Sequence, residues 1–304
     1  MIDIVIVNWN GGELIRDCIH SILTIENQKH LSNLFIIDNA SSDRSIELLP
    51  VSEKITIIRN ESNVGFSKAC NQGFELCKAN YVLLLNPDTK LFPDTLSLCV
   101  SFMSTHSNVD ILGCQLLDEM GNVSASCARF PSPLQYFTYA TGLSVLFPNI
   151  FTPLLLMNDW NHSDSREVDQ VMGAFMFMPR SIFEKVGYFD EQFFVYYEEL
   201  DFSLRLKKMN GISYFNADIK AIHHGMGTTE SVKAFRLFLS LRSRLKYAKK
   251  HFSLAGYWLV CLSSFPLEFI SRFFLLLFRG RLGECKDLFL AYTYFLSGKK
   301  VRAS

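Results

Sequence analysis

Residues 81–91 read YVLLLNPDTKL. Val82 to Leu85 form an unbroken apolar run, the pattern of a strand covered on both faces. The run ends at Asn86-Pro87-Asp88, so a carboxylate stands just past a buried strand. Open α/β sheets bind ligands outside the carboxyl ends of their strands. Asp88 is therefore either a ligand of a metal at such a site or a turn former that caps the next helix. Mg²⁺ or Mn²⁺ takes one or two carboxylates and completes its shell with phosphate oxygens and water.

Working outward, the first hundred residues alternate strand and helix patterns. IDIVIVN (2–8), LFIID (34–38) and ITIIRN (55–60) are short runs like YVLLLN (81–86). They end on Asn8, Asp38, Asn60 and Asn86, a polar rim where the strands leave the core. Helical spacing of apolar residues marks 12–23, 65–79 and 92–106, and a Ser/Asp cap signature predicts a helix over 42–49. Such alternation predicts a parallel sheet with helices on both faces. Further on, strands are predicted at 109–118 and 168–180 and a helix at 198–211. Two short strands over 211–225 run into His223 and His224. Residues 130–166 lack a clear period and are expected to form an insertion or lid.

The 304 residues are 49% hydrophobic, enough for one large core with an appendage. The net charge is zero, but residues 1–232 carry 16 basic and 27 acidic side chains, and residues 233–304 carry 14 and 3. A division into a body at 1–232 and a helical tail at 233–304 follows. The basic, apolar tail suggests a membrane surface as partner rather than nucleic acid. On a helical wheel Ser264, Glu268, Ser271, Arg272 and Arg279 share one face, with Phe265, Phe269, Phe273, Phe274 and Leu277 on the rest. This is an amphipathic helix for a membrane interface or for packing on the body. No run of 18 uncharged apolar residues occurs, so peripheral association is expected rather than a span. No signal peptide is expected ahead of MIDIVIVN. The eight cysteines form no C-x-x-C pair and read as reduced core residues of a cytosolic protein.

Several other residues are candidates for chemistry. Asp38 could bond a nucleobase or ribose, or cap the 42–49 helix. Gly65 opens a helix after a polar turn, where bare backbone can approach a phosphate. It belongs to neither a G-x-G-x-x-G nor a Walker loop. Glu198, Glu199 and Asp201 crowd a helix start. The helix dipole tolerates such a cluster, and mutual repulsion raises proton affinity, which suits a general base. Strand alternation sends His223 and His224 to opposite faces, so at most one of the two reaches the crevice.

Six segments then stand in order: VIVNWNG (5–11), IDNASSD (37–43), NVGFSKACNQG (63–73), LLLNPDT (83–89), the stretch 171–206 containing FVYYEELDFSLRL, and AIHHGMGTT (221–229). Together they resemble glycosyltransferase family 2, the inverting GT-A enzymes, and within it the rhamnosyltransferase-like branch. The resemblance covers about residues 2–230. It implies a donor site lined by Asn8, Asn10, Asp38, Asn63, Gly65, Asn71 and Asn86. It implies acceptor contacts at Gly173, Ala174 and Glu198, a catalytic base at Glu199, and a divalent cation (Mg²⁺ or Mn²⁺) held by Asp88 and His224. Two positions depart from the family pattern: Glu199 replaces the more usual Asp, and Asn86 replaces the first Asp of the metal motif.

The resemblance further implies transfer of a sugar from a nucleotide-diphosphate donor, dTDP-rhamnose foremost, to a lipid-linked glycan during bacterial cell-surface polysaccharide assembly. The expected location is the cytoplasmic face of the inner membrane. The alternatives are a UDP-hexose or galactofuranose transferase, or a non-catalytic nucleotide-sugar-binding member of a membrane complex.

Overall fold

The computed structural model describes residues 1–152, 154–225 and 233–298; residues 226–229 of the last motif lie outside them. Strand β1 (Ile2–Asn8) leads into helix α1 (Gly12–Ile22) and the short α2 (Ile25–Gln28). Next come β2 (Leu31–Asp38), β3 (Ile55–Arg59), α3 (Phe66–Leu76), β4 (Tyr81–Leu85), β5 (Thr89–Leu91), α4 (Thr95–Thr105) and β6 (Ile111–Leu117). Short pairings β7 (Val123–Ser124) and β8 (Cys127–Ala128) precede α5 (Pro133–Ala140) and α6 (Leu143–Leu146). Then follow β9 (Arg166–Val168), β10 (Gln170–Val171), β11 (Phe175–Pro179), α7 (Ile182–Val186), α8 (Glu198–Lys208) and β12 (Ser213–His223). Four helices close the described chain: α9 (Lys233–His251), α10 (Leu254–Leu262), α11 (Glu268–Phe278) and α12 (Leu282–Leu296).

The main sheet has the order β3-β2-β1-β4-β11-β6-β12-β5. β1 runs parallel to β2 and β4, and β11 inserts antiparallel between β4 and β6. The sheet is thus mixed and mostly parallel on its N-terminal side. The winding reverses between β1 and β4, which opens a crevice at their carboxyl ends.

Period-two geometry divides the core into two layers. Ile2, Ile4 and Ile6 of β1 pack to one face with Ile15, Cys18 and Ile19 of α1. Val5 and Val7 pack to the other with Ala69, Cys70 and Phe74 of α3. β11 obeys the same rule: Phe175 and Phe177 enter the first layer, Met176 and Met178 the second.

Three local expectations change. Residues 42–49 form turns, not a helix, because side chains there capture the backbone. Ser42 and Asp43 amides donate to Asn10 Oδ1, and the Ser45 amide and hydroxyl donate to Asp43 Oδ1. Such bonds compete with helical ones. Residues 213–223 form one strand with a register shift between Asn216 and Lys220, not two strands. Within 130–166 a helix appears at α5, announced by a capping box of Ser132 and Gln135 with Pro133 behind the cap. It packs on α10.

The tail is helical as expected, but Ser264 and Glu268 of its polar face point inward, while Arg279 stays exposed. Arg244 of α9 is buried and pairs with Glu268, and the Ser264 hydroxyl accepts from its guanidinium at 3.1 Å. Arg272 meets Glu268 at 2.7 Å. The helix from Leu254 to Phe278 runs unbroken for 25 residues, passing Pro266 through one π-helical turn. By length and composition it could cross a membrane. Leu254, Trp258, Phe274 and Phe278 on it are largely exposed.

Candidate active site

A cavity of about 400 Å³ opens at the carboxyl ends of β1 and β4. Val7, Trp9, Asn39 and Asn63 line one part, and Asn86, Pro87, Asp88 and His223 another. Gly173, Ala174, Tyr196, Glu198, Glu199 and, from α9, Arg236 complete its polar and backbone walls.

Asp88 is held by a tight turn. The Thr89 amide donates to Asn86 O at 3.2 Å, closing a β-turn with Pro87 at the position that fixes φ. Beyond it β5 pairs antiparallel with β12, with His223 opposite Thr89. That register brings His223 Nε2 to 3.3 Å from Asp88 Oδ1, both side chains mostly buried. His224 points the other way, its Nδ1 2.9 Å from Glu119 Oε1, and its side chain is more exposed. The histidine beside Asp88 is therefore His223, not the His224 expected from the sequence. Only its backbone amide ties His224 to Asp88, donating to the carbonyl at 3.0 Å.

A carboxylate oxygen and an imidazole nitrogen this close fit a divalent cation whose remaining positions are filled by phosphate and water. No set of three His, Cys, Asp or Glu side chains converges among the described residues. The donor set thus suits a metal shared with a substrate rather than one caged by protein.

The glutamates sit behind a strained entry. Tyr196 and Tyr197 both adopt left-handed backbone angles, φ 66° and 73°, before α8 begins at Glu198. Non-glycine residues rarely do this, and two in succession cost stability that the surrounding packing must offset. The Tyr197 hydroxyl lies 3.1 Å from that of Tyr136, which fixes the second of them.

The result is a pair of buried neighbouring carboxyls, each with its Oε2 buried and unpartnered. Burial, then the neighbouring Glu199 charge, pushes Glu198 well above the usual carboxylate range. Burial also raises Glu199, opposed by its own amide, the Glu198 carboxyl and the Gly173 amide. Burial and mutual repulsion thus disfavour ionising both carboxyls together, so the pair holds a proton more firmly than an isolated carboxyl does.

Asp201, the third acid of the cluster, faces away from the cavity. It is fully buried and receives Arg205 Nε at 2.9 Å, Lys250 Nζ at 2.7 Å and His251 Nε2 at 2.7 Å. Burial opposes its ionisation, but the bonds from His251, Lys250 and Arg205 outweigh this and hold it down to about 2. This carboxylate fastens α8 to α9.

The remaining expected residues divide into two groups. Asn63, Asn86, Gly173, Ala174 and Glu198 line the cavity together with Asp88 and Glu199. Asn8, Asn10, Asp38, Gly65 and Asn71 stand behind it. Asn8 is fully buried and its Nδ2 donates to Asp38 Oδ1, Ser41 Oγ and Ser45 Oγ. Asn71 binds the 189–191 loop, donating to Phe189 O and Glu191 Oε1. Gly65, with φ 91°, gives its close approach to Phe194: a Cβ would stand 2.6 Å from that residue's carbonyl oxygen. Trp9, Asn39 and Arg236 line the cavity and were not singled out by sequence, and His223 is the member of the histidine pair that lines it. For Trp9 and Asn39 the signal was present, since each adjoins a polar strand end.

A second, mainly apolar cavity of about 230 Å³ adjoins the first. Cys127, Leu155, Leu156, Leu200 and Ser240 line it, and it shares Met172, Tyr196 and Glu199 with the larger one. Glu199 thus stands at the junction of two spaces.

Comparison with known proteins agrees with this arrangement. Residues 3–187 match the model of "Glycosyl transferase family 2". A "Low-salt glycan biosynthesis hexosyltransferase" of Haloferax volcanii is 26% identical over 258 residues, covering 83% of this chain and 76% of that protein. An "N-acetylglucosaminyl-diphospho-decaprenol L-rhamnosyltransferase" of Mycobacterium tuberculosis is 23% identical over 274 residues, covering 85% and 86%. Among solved structures, a mannosyltransferase from Pyrobaculum calidifontis in complex with GDP-Man and Mn²⁺ superimposes with TM-score 0.53 at 13% identity, covering 98% of this chain and 88% of that one. GalNAc-T7 with UDP, GalNAc and Mn²⁺ gives 0.54 at 13% identity, covering 84% and 52%. The sheet order, the crevice between β1 and β4 and the family match lead to one conclusion: the chain belongs to glycosyl transferase family 2 and is a glycosyltransferase of GT-A fold.

Proposed function

We propose that the protein transfers a sugar, rhamnose from dTDP-rhamnose foremost, to a lipid-linked glycan at the cytoplasmic face of a bacterial membrane, with inversion at the anomeric carbon. The observation that carries this is the position of Glu199 between the two cavities. The larger cavity takes the sugar nucleotide, and the smaller takes the acceptor.

In this reading the nucleoside end lies against Trp9, Asn39 and Asn63, with Asp38 and Asn8 bracing the strand ends behind them. Asp88 and His223 would hold the divalent cation, which when bound supplies positive charge to the diphosphate. Asn86 in place of a carboxylate lowers the negative charge there and weakens metal affinity. The acceptor hydroxyl enters past Gly173 and Ala174 on the side of Glu199. Its oxygen forms the new bond to the anomeric carbon while the bond to the diphosphate oxygen breaks, and Glu199 takes the proton. Glu is one methylene longer than Asp with similar acidity, so the role survives the exchange. A protonated Glu198 keeps the pair singly charged and can hold an acceptor oxygen.

The lipid-linked acceptor suits the tail. Leu254, Trp258, Phe274 and Phe278 are exposed on one long helix, and Val145, Leu146 and Ile150 are exposed near α6. These outward apolar side chains, with the Arg244–Glu268 ion pair turned inward, fit a protein lying on a membrane, with residues 233–304 as the attaching region beside a catalytic body at 1–232. The relative named as a rhamnosyltransferase on a decaprenol-linked sugar supports both the donor and the acceptor class.

The test is transfer from labelled dTDP-rhamnose, UDP-glucose and UDP-galactofuranose to an N-acetylglucosaminyl-diphospho-polyprenol, using wild type and Glu199→Gln. Product from dTDP-rhamnose alone, lost in the variant without loss of donor affinity, supports the reading. Product from a UDP-sugar instead replaces the donor assignment, and unchanged turnover in Glu199→Gln removes the base.

A further inference from the structure

Besides the phenol of Tyr196, the larger cavity is lined by five ionisable side chains: Asp88, Glu198, Glu199, His223 and Arg236. Three are acids, yet a sugar nucleotide brings a diphosphate, itself an anion. Arg236 is the one permanent cation in that lining among the described residues. It is half-buried, and it makes no hydrogen bond or ion pair among them. A guanidinium withdrawn partly from water without a partner is costly, and an anionic ligand offsets that cost.

Its position is fixed by the helix that carries it. Phe235, Arg236 and Leu239 reach the cavity from the first turns of α9. Further along α9 Ser243 Oγ donates to Val195 O at 2.7 Å, and Lys250 meets Asp190 at 2.6 Å. Lys250 and His251 also hold Asp201 of α8. The helix bearing Arg236 is thus registered against the helix bearing Glu199.

We infer that Arg236 is a binding residue for the diphosphate of the sugar nucleotide. The inference rests on the donor reading above and adds the protein's own cation to it. As the bond from the anomeric carbon to the diphosphate oxygen breaks, its electron pair goes to that oxygen. A guanidinium fork matches phosphate oxygens in pairs and stabilises the gathering charge. An acceptor carrying a lipid diphosphate offers the same chemistry. The donor is favoured because Arg236 shares its cavity with Trp9, Asn39, Asn63 and Asp88, whereas α9 gives the smaller cavity Ser240.

The experiment is calorimetric titration of the full chain, with Mn²⁺ present, by dTDP, UDP and GDP and by the matching monophosphates. Wild type, Arg236→Gln and Arg236→Lys are compared, and acceptor KM is measured alongside. The expected result is at least a tenfold rise in Kd for the preferred diphosphate in Arg236→Gln. The monophosphate Kd stays within about twofold, and Arg236→Lys recovers part of the loss. Should Arg236→Gln not fold, Arg236→Met keeps the aliphatic stem and is read in the same way. Unchanged diphosphate affinity in a folded neutral variant overturns the inference. So does a raised acceptor KM at unchanged diphosphate affinity, which would place the guanidinium on the acceptor's phosphates. If wild type binds none of the diphosphates, the donor reading falls and takes the inference with it.

Discussion

Gly173 presents bare backbone to Glu199: a Cβ built there would stand 3.3 Å from Oε1. That contact is tighter than ordinary packing, and it presses on the carboxylate proposed to take the proton. Gly173→Ala should therefore fold with nearly native stability, because its φ is not in the left-handed region. It should lose about tenfold or more in kcat. The rising limb of its pH–rate profile should also move to higher pH, since the added methyl removes water from the carboxylate. Steady-state kinetics across pH 5–9 measure both.

The pairing of His223 with Asp88 and of His224 with Glu119 separates two adjacent histidines by position. His223→Ala should weaken Mn²⁺ binding in the presence of nucleoside diphosphate by tenfold or more. His224→Ala, which loses a rim contact to Glu119, should stay within about twofold. Titration of the Mn²⁺ paramagnetic signal reads this directly, and equal effects in the two variants would undo the assignment of His223.

The Glu198–Glu199 pair sets a pH dependence with a definite sign. Glu198 has a folded-state pKa raised above its unfolded one. Its favourable contribution is complete below the unfolded value and is lost as pH rises toward the folded one. Glu198→Gln carries no such loss. Its melting temperature should match wild type near pH 4 and exceed it increasingly toward pH 8, at about 1–2 °C per kcal/mol for a chain of this length. A constant difference across that range contradicts a protonated Glu198.

Asp201 shows the opposite sign. With its pKa held to about 2 in the folded protein, its contribution is present above the unfolded value of about 3.9. It disappears as pH falls through about 2. Asp201→Asn removes the charge that Arg205, Lys250 and His251 share, leaving Lys250 only Asp190 as an ion partner. The cost at pH 7 should be about 3–5 kcal/mol by denaturant unfolding, the range for breaking a buried pair on one side.

The exposed apolar stripe predicts attachment that can be removed without deleting the tail. Trp258→Glu with Phe278→Glu should cut co-sedimentation with anionic phospholipid vesicles several-fold while leaving the melting temperature nearly unchanged, because both side chains are mostly exposed. Full retention on the vesicles would argue that this face is not the one that docks.

Much of the fold was legible because β1 and β4 carry their burial in composition: two short apolar runs separated by helical spacing. The carboxylates at the site were legible for the same reason, since Asp88 and Glu199 stand at element ends. The histidine was not. Choosing between His223 and His224 needs the register of β12 against β5, set by pairing across about 130 residues of chain, and alternation alone gives only the two-fold choice. The 42–49 segment has helical letters, but Asn8, Asn10 and Asp43 capture its backbone and hydroxyl groups. Only the folded arrangement brings Asn8 and Asn10 there. Arg236 was hidden because a helical wheel shows which face of α9 is polar, not which turn overhangs a cavity built by other elements.

The Asp201 clasp also bears on how such a gene can be re-engineered. Lys250 and His251 reach from the tail to Asp201 on the helix that carries Glu198 and Glu199, so residues 233–304 cannot be treated as an interchangeable cassette. Replacing it with the tail of a distant relative, or pruning it to obtain a more soluble protein, would leave Asp201 without two of its three partners and detach Arg236 from the cavity. Chimeras should succeed only where the crossover lies beyond His251, so that the clasp travels whole.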